Sequence, residues 1–282
     1  MEDYIWSGSD FPYICLIDED RTLAFKKAIE AAVKPGDTVI DIGSGSGIMA
    51  FFAAGAGAKK VYAVEIDHLL AGSLRRSIKL NGLEDRMEVI EKNALEAELP
   101  QNVDVLIAEL IETGLLDEMQ VKVINQLHEN GVIGTNTLVI PQAYETYVRP
   151  LSVDNDFYGY KITAPIHDWP YYASKQEGWY QLKKKYAAAA QSLGGVVDFR
   201  HSNKQMVEEE LKFDIADATQ VNAVEISGKV FLNDHIELGA MNSLNGNKIL
   251  LLDEPFQGPG TLSLKVSYLM SAGLGAFTAE VQ

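Results

Sequence analysis

The sequence has few of the residues that build disulfide frameworks, metal centres or membrane spans. Cys15 is the only cysteine among 282 residues, so no intramolecular disulfide can form. The five histidines include no pair four positions apart, and one cysteine cannot complete a zinc set, so we predict no metal site. No apolar run approaches the roughly 20 residues that a membrane-spanning helix needs.

Positive charge is also scarce. The chain has 24 basic and 40 acidic residues, which gives a formal net charge of −16. Such a surface repels phosphate backbones, so a nucleic-acid partner is not expected. The best basic candidate is Lys183-Lys184-Lys185, which we interpret as a solvated helix face. The first ten residues lack the basic and apolar stretches of a signal peptide, so we expect a cytoplasmic protein with no membrane partner.

Two regions of different periodicity follow one another along the chain. In residues 1–141, short apolar strands alternate with helical patterns, which is typical of a doubly wound parallel sheet. These include a strand predicted at 132–135. Residues 142–282 show mostly period-two patterns broken by turn signals, which predicts an antiparallel sandwich or barrel. A Trp- and Tyr-rich stretch near 155–206 is interpreted as an inserted, partly helical segment. The expected fold is therefore α/β with a β-rich second domain.

The clearest motif is a strand that runs directly into three spaced glycines and then a helix. Its residues are Val39-Ile40-Asp41-Ile42-Gly43-Ser44-Gly45-Ser46-Gly47. Glycine lets the backbone turn sharply and lets a ligand lie against it. The spacing is G-x-G-x-G rather than the dinucleotide G-x-G-x-x-G, which favours a nucleoside with an amino-acid tail over NAD.

An acidic residue follows this loop at the expected distance. Glu65 ends the next strand, where its carboxylate can accept both ribose hydroxyls of a nucleoside. Asn93 follows the third strand, where its amide can reach an adenine edge. We expect their neighbours Ile66 and Ala94, together with Asp41, to line the same cofactor site. NAD remains the alternative ligand at this level of the argument.

The segment VIDIGSGSGIMAFFAAGAGAKKVYAVEID, residues 39–67, resembles the cofactor region of class I S-adenosylmethionine-dependent methyltransferases, in particular the protein arginine methyltransferases and their smaller prokaryotic relatives. The resemblance implies a Rossmann-like domain, S-adenosyl-L-methionine as the cofactor, a C-terminal barrel and an inserted arm that helps to form a homodimer. It also implies that Arg21 pairs with the methionine carboxylate of the cofactor, for which a guanidinium fork is well suited.

A second segment, AELIETGLLDE at 108–118, resembles that family's double-glutamate hairpin. In the family, two glutamates nine positions apart clamp the substrate guanidinium, and Glu109 and Glu118 have this spacing with Gly114 between them. The resemblance thus assigns Glu109 and Glu118 as catalytic residues, with Glu109 also beside the cofactor. The implied reaction is an in-line displacement at the methyl carbon, accelerated by positioning and electrostatics.

The sequence departs from the family at the loop that completes the acceptor pocket. The family's Thr-His-Trp loop has no clear counterpart, and the nearest position is Asn245-Gly246-Asn247, before Lys248. Leu95 replaces the family's adenine-side glutamate. A short His167-Asp168-Trp169 cluster is interpreted as a loop with incidental chemistry.

These departures leave several functions open. The leading hypothesis is N-methylation of a cationic, guanidinium-like group on a protein or a small molecule. The alternatives are C-, N- or O-methylation of another small molecule, methylation of RNA, and a regulatory protein that binds the cofactor without catalysis.

Overall fold

The protein is described here from a computed structural model that covers residues 6–169, 182–216, 218–239 and 245–282. Within these residues the α-helices are α1 (Phe11–Ile17), α2 (Glu19–Ala32), α3 (Ile48–Ala56), α4 (His68–Leu80) and α5 (Gln120–Glu129). The strands of the first half are β1 (Thr38–Ile42), β2 (Lys60–Glu65), β3 (Met87–Glu91), β4 (Val105–Ala108) and β5 (Leu138–Ile140).

The strands of the second half begin directly after β5. They are β6 (Ala143–Val153), β7 (Asp156–Phe157), β8 (Tyr160–Lys161), β9 (Ile166–Asp168), β10 (Lys184–Ala187), β11 (Gln191–Asp198), β12 (Met206–Ile215), β13 (Gln220–Asn233), β14 (Ile236–Leu238), β15 (Asn247–Gln257), β16 (Gly260–Leu269) and β17 (Thr278–Val281). Short 3-10 helices lie at Trp6–Gly8, Thr113–Leu115 and Leu274–Ala276.

The first five strands form one parallel sheet in the order β3-β2-β1-β4-β5. Strand β4 is buried along its whole length, as expected for a strand that helices cover on both faces. The order reverses between β1 and β4, and open parallel sheets bind ligands at the carboxyl ends of the strands at such a point. The predicted α/β class is confirmed, and the sheet directs the glycine loop to this crevice.

Side-chain caps fix the helices that flank the crevice. The carboxylate of Asp18 accepts from the backbone N–H of Arg21 at 3.0 Å and starts α2. Asp67 accepts from the N–H groups of Leu69 and Leu70 at 2.9 and 3.1 Å and starts α4. Among the helices of the described chain, none is long and apolar enough to cross a bilayer.

One strand of this half lies later than predicted. Residues 132–135 form a turn, and the fifth strand is Leu138–Ile140. The N–H of Gly134 donates to Thr137 Oγ1 at 2.9 Å, and this hydroxyl donates to Val103 O at 2.6 Å. Val132 is buried although it does not belong to a strand, because its side chain packs beneath the turn. Its burial explains why residues 132–135 have the apolar pattern of a strand.

The second half is antiparallel, as the period-two pattern predicts. The path β10-β6-β13-β15-β9 forms the main sheet, with β11 also paired to β6 and β14 to β13. A smaller sheet has the order β12-β16-β17. Alternate residues of β16, including Leu262, Leu264 and Val266, are fully buried between the sheets.

The stretch 155–206 differs from the expectation of a partly helical insertion. Its described parts, 155–169 and 182–206, contain the strands β7 to β11 and no helix, while residues 170–181 lie outside the described chain. The predicted helix face at 183–185 is instead the start of strand β10. Lys184 is held by Asp168 and Glu225 at 2.7 Å each, so it is not a free basic patch.

Candidate active site

The glycine loop and Glu65 are joined directly. The N–H groups of Gly43 and Ser44 both donate to Val64 O, at 2.9 and 3.0 Å, which ties the loop to the end of β2. Glu65 Oε2 accepts from the N–H of Gly45 at 2.7 Å. The acid predicted to bind ribose therefore lies against the loop predicted to hold the rest of the nucleoside.

The three glycines have left-handed φ values of 69°, 53° and 82° at positions 43, 45 and 47. Their roles nevertheless differ. A Cβ at Gly47 would lie 2.2 Å from Leu74 Cδ1, so this glycine allows the loop to pack on α4. A Cβ at Gly45 would meet only the carbonyl of Gly43 at 3.9 Å, which leaves that side of the loop open.

One cavity brings most of the predicted site residues together. It is lined by Arg21, Asp41, Gly43, Ser44, Gly45, Glu65, Ile66, Glu109 and Glu118. Gly47, Asn93 and Ala94 do not line it. Asn93 Oδ1 accepts from the N–H of Leu95 at 3.0 Å and so shapes its own turn. The ligand and catalytic roles of all the predicted site residues stay predictions.

Arg21 and Glu109 form a buried ion pair inside this cavity. The guanidinium also donates to Cys15 O at 3.0 Å and lies over the Phe25 ring, 5.4 Å from its centroid. Its Nε has no hydrogen-bond partner among the described residues. The arginine is thus fixed in place with one donor still unsatisfied.

The hairpin between Glu109 and Glu118 is held by groups from both halves of the chain. The N–H of Leu110 donates to Gln120 Oε1 at 2.9 Å, and the N–H of Gly114 donates to the Tyr144 hydroxyl at 2.9 Å. Thr113 Oγ1 donates to Gly246 O at 2.6 Å. Gly114 has a φ of 76°, which is consistent with the turn expected there. The antiparallel half therefore positions the glutamates of the parallel half.

A third glutamate joins the predicted pair. Glu112 also lines the cavity, and its Oε2 lies 2.5 Å from Lys248 Nζ. Lys248 is buried and pairs with Asp117 as well. Asp117 in turn accepts from the N–H of Leu274 at 2.9 Å. The position after the missing Thr-His-Trp loop is therefore occupied by a buried cation that fixes the hairpin.

Burial raises the pKa values of the cavity carboxyls. It raises the pKa of Asp41 to about 7, and the pKa of Glu112 to about 8 in spite of the neighbouring Lys248. Burial, together with the charges of Glu109 and Glu112, raises the pKa of Glu118 well above its usual range. The pKa of Glu109 is also raised by burial, although Arg21 opposes this. Such carboxyls favour a bound positive charge.

The N-terminal residues form part of the wall of the cavity. The N–H of Ser7 donates to Asp67 Oδ2 at 2.8 Å, beside the start of α4. From there α1 crosses the cavity and contributes Phe11, Pro12, Cys15 and Leu16 to its lining.

Sequence reasoning did not find Glu112, Phe11 or Trp169 as residues of this cavity. Glu112 lies within the hairpin 109–118, only three residues after Glu109. This short spacing could have indicated that its carboxylate lies in the same cavity. Phe11 and Trp169 carry no motif, and only the fold brings them to the glycine loop. The segment 167–169, interpreted as an incidental loop, is in fact the end of strand β9 followed by a buried indole.

Comparisons with known proteins agree with this geometry. A family model described as Ribosomal protein L11 methyltransferase (PrmA) matches residues 22–156. An uncharacterized protein of Methanocaldococcus jannaschii is 37% identical over 161 residues, which are 55% of this chain and 61% of that protein. An arginine N(omega)-methyltransferase of Streptomyces achromogenes is 35% identical over 146 residues, 50% of this chain and 40% of that enzyme.

The matched regions thus span less than two thirds of either relative. A solved structure extends the likeness to the whole fold. The PRMT1 enzyme–prozyme heterotetrameric complex of Trypanosoma brucei, determined with AdoHcy, matches 97% of this chain and 98% of its own, with a TM-score of 0.69 and 18% identity. The resemblance predicted from residues 39–67 and 108–118 is therefore supported: over about half of its length the chain is similar in sequence to S-adenosylmethionine-dependent methyltransferases of the L11 and arginine methyltransferase type, and its whole fold matches that of a protein arginine methyltransferase.

Proposed function

We propose that this chain transfers a methyl group from S-adenosylmethionine to a cationic, guanidinium-like nitrogen on a small molecule or a protein. The observation that carries the proposal is the joint lining of one cavity by the glycine loop and by Glu109, Glu112 and Glu118. A nucleoside cradle and a cluster of acids meet there without an intervening element. The methyl donor and the methyl acceptor could therefore be bound next to each other in this cavity.

The residues of the cofactor end fit S-adenosylmethionine. Arg21 Nε and Asp41 Oδ2 are both buried without a partner among the described residues. A carboxylate and an ammonium, the two ends of an amino acid, satisfy such a donor and such an acceptor. Gly45 and Glu65 would hold the ribose. The cofactor supplies, when bound, a methyl group on a positively charged sulfur.

The acceptor end is arranged for a cation. Three glutamates and Asp117 face two positive groups, Arg21 and Lys248, which leaves the cavity short of positive charge. Glu118 supports this reading most directly, because burial and the charges of Glu109 and Glu112 raise the pKa of its carboxyl, and a bound cation would offset both effects. A planar guanidinium can donate to such a carboxylate through two N–H groups.

The carboxylates also have a catalytic use. Two of them, from Glu109 and Glu118, would orient the planar cation so that one nitrogen lone pair points along the reaction axis. The raised pKa of Glu118 makes its carboxylate oxygen a better proton acceptor than an exposed glutamate. It can therefore receive the proton that the nitrogen loses on methylation. The relative from Streptomyces achromogenes, named as an arginine methyltransferase, supports a guanidinium acceptor.

The test is a transfer screen with cofactor labelled in the methyl group. The acceptors are free arginine, arginine-rich peptides and a metabolite extract, and the labelled product is identified by mass. We expect label on a guanidinium compound. Label confined to other molecules of the extract would favour a different small-molecule acceptor, and label removed by RNase would favour RNA. Tight cofactor binding without transfer to any of them would contradict catalysis.

A further inference from the structure

Trp169 is a buried aromatic residue in the wall of the cavity, although no motif marks it. Its side chain is 4% exposed and lines the same cavity as Glu109, Glu112 and Glu118. It directly follows strand β9. A large aromatic ring in the wall of the cavity that three carboxylates also line can contact a ligand that those carboxylates hold.

The backbone before this ring is anchored on two sides. Strand β9 pairs with β15, with His167 opposite Lys248 and Asp168 opposite Asn247. The carboxylate of Asp168 binds Lys184 Nζ at 2.7 Å, and Lys184 binds the buried Glu225 at the same distance. The ring therefore extends from a fixed strand end.

The space for the ring depends on a glycine. A Cβ at Gly246 would lie 2.1 Å from Trp169 Cδ2, so any other residue would displace the indole. The carbonyl of the same Gly246 accepts the hydrogen bond from Thr113 in the glutamate hairpin. One backbone segment thus locates both the aromatic ring and the carboxylates, and it locates them relative to each other.

A second ring extends this wall. Phe11 of α1 lies against Trp169 in an edge-to-face arrangement, with 6.0 Å between the ring centroids and 80° between the planes. Both rings line the cavity. An aromatic face beside carboxylates is the usual environment for an organic cation, since the ring attracts the charge while the acids pair with its N–H groups.

We propose that Trp169 is the specificity-determining wall of the acceptor pocket, which selects a guanidinium or ammonium group over a neutral group of the same shape. The inference rests on the proposed function. Gly246 is then a positioning residue that keeps the ring in place. Asp168 and Lys184 support the strand end on which the ring is carried.

The test uses binding rather than turnover. The full chain, saturated with S-adenosylhomocysteine, is titrated with n-butylguanidine, n-butylammonium and the neutral n-butylurea. We expect the wild type to prefer the cations. Trp169→Leu should weaken the binding of the cations about 3- to 30-fold, the range of a desolvated cation–π contact, and bring it close to that of the urea.

Two further variants distinguish the loss of the aromatic ring from a general disturbance of the fold. Gly246→Ala should weaken cation binding in the same direction because it displaces an intact indole, while Trp169→Phe should restore part of the wild-type preference. Tyr158→Leu, which removes an exposed aromatic ring elsewhere, is the matched control. Binding of S-adenosylhomocysteine by each variant shows that the glycine-loop half is intact.

The outcomes distinguish the inference from the proposed function. If the wild type prefers cations and Trp169→Leu keeps that preference, the aromatic wall is overturned and the proposed function stands. If Trp169→Leu weakens the cations and the urea equally, the ring is only an apolar surface and its role in specificity is overturned. If the wild type itself binds no cation, both proposals fail.

Discussion

The cofactor end and the acceptor end of the cavity are built in different ways. The cofactor end comes mainly from one continuous segment, residues 39–67, in which the loop and Glu65 bond to each other. The acceptor end is assembled from the hairpin 109–118, Trp169 and the segment 245–248, which come from both halves of the chain. Because the residues of the cofactor end are contiguous, they form a motif that can be recognised in the sequence. The residues of the acceptor end come together only through tertiary packing.

The difference has a functional consequence. A loop tied to a parallel sheet keeps its shape when distant residues change, so the cofactor end can stay constant. The acceptor end depends on contacts across the two halves, such as those of Thr113 and Lys248. Changes in the antiparallel half therefore alter the acceptor pocket without touching the cofactor loop. The choice of acceptor is therefore determined by the individual side chains of this end rather than by the fold.

The sharpest way to separate the two ends is the substitution Glu118→Gln. It keeps the shape of the side chain and removes the charge at the acceptor end. We expect kcat/KM to fall about 100- to 1000-fold, the usual cost of removing one electrostatic contact to the transition state. Calorimetry should show the Kd of S-adenosylhomocysteine within about twofold of wild type, since the proposed cofactor contacts do not include Glu118. Full activity would contradict the clamp.

The reverse experiment is Glu65→Gln at the cofactor end. This substitution removes the charge of the proposed contact to the ribose, so we expect the Kd of S-adenosylhomocysteine to rise about 10- to 100-fold. Butylguanidine binding measured at saturating cofactor product should change little. Glu88→Gln, on the neighbouring strand β3 and paired with Lys60 at 2.9 Å, is the matched control. Equal losses at both ends would show that the cavity acts as one unit.

The two ends were also unequally predictable. The alternation of strands and helices predicts the parallel sheet, and the spacing of Gly43, Gly45 and Glu65 predicts the cofactor crevice. The turn at 132–135 was mistaken for a strand because buried residues outside strands look the same in sequence. Trp169 could not be found, because its position depends on the pairing of β9 with β15, which no local pattern encodes.

The pH dependence should sharpen the comparison further. Below its pKa a carboxyl is neutral, and above it the charged form attracts a cation, so cation affinity rises as the pH rises through the pKa. Glu112, with a pKa of about 8, should give n-butylguanidine affinity a rise up to that pH, at most about tenfold per unit for each proton released. The guanidinium itself stays charged throughout this range.

Calorimetry in two buffers of different ionisation enthalpy checks this, because it counts the protons released on binding. Glu112→Gln should remove the rise near pH 8, while Glu88→Gln should leave it unchanged. At the cofactor end any corresponding rise should centre near pH 7, where Asp41 titrates. A cation affinity that is flat between pH 6 and 9 would mean that the acceptor-end carboxyls are already charged in the free protein.

The smallest expected effect is on stability. The pKa of Glu118 lies well above its ordinary value of 4.5 in the folded chain, so between these two values the folded state binds more protons than the unfolded state. Stability due to this group therefore falls as the pH rises through that window. Glu118→Gln removes the penalty, so its Tm should exceed that of the wild type by about 2–4 °C at pH 8 and match it near pH 4.5. Thermal unfolding followed by circular dichroism measures both. A Tm at pH 8 equal to that of the wild type would mean that the charged carboxylate is already stabilised without a ligand, and the acceptor end would then have no unsatisfied charge to offer a cation.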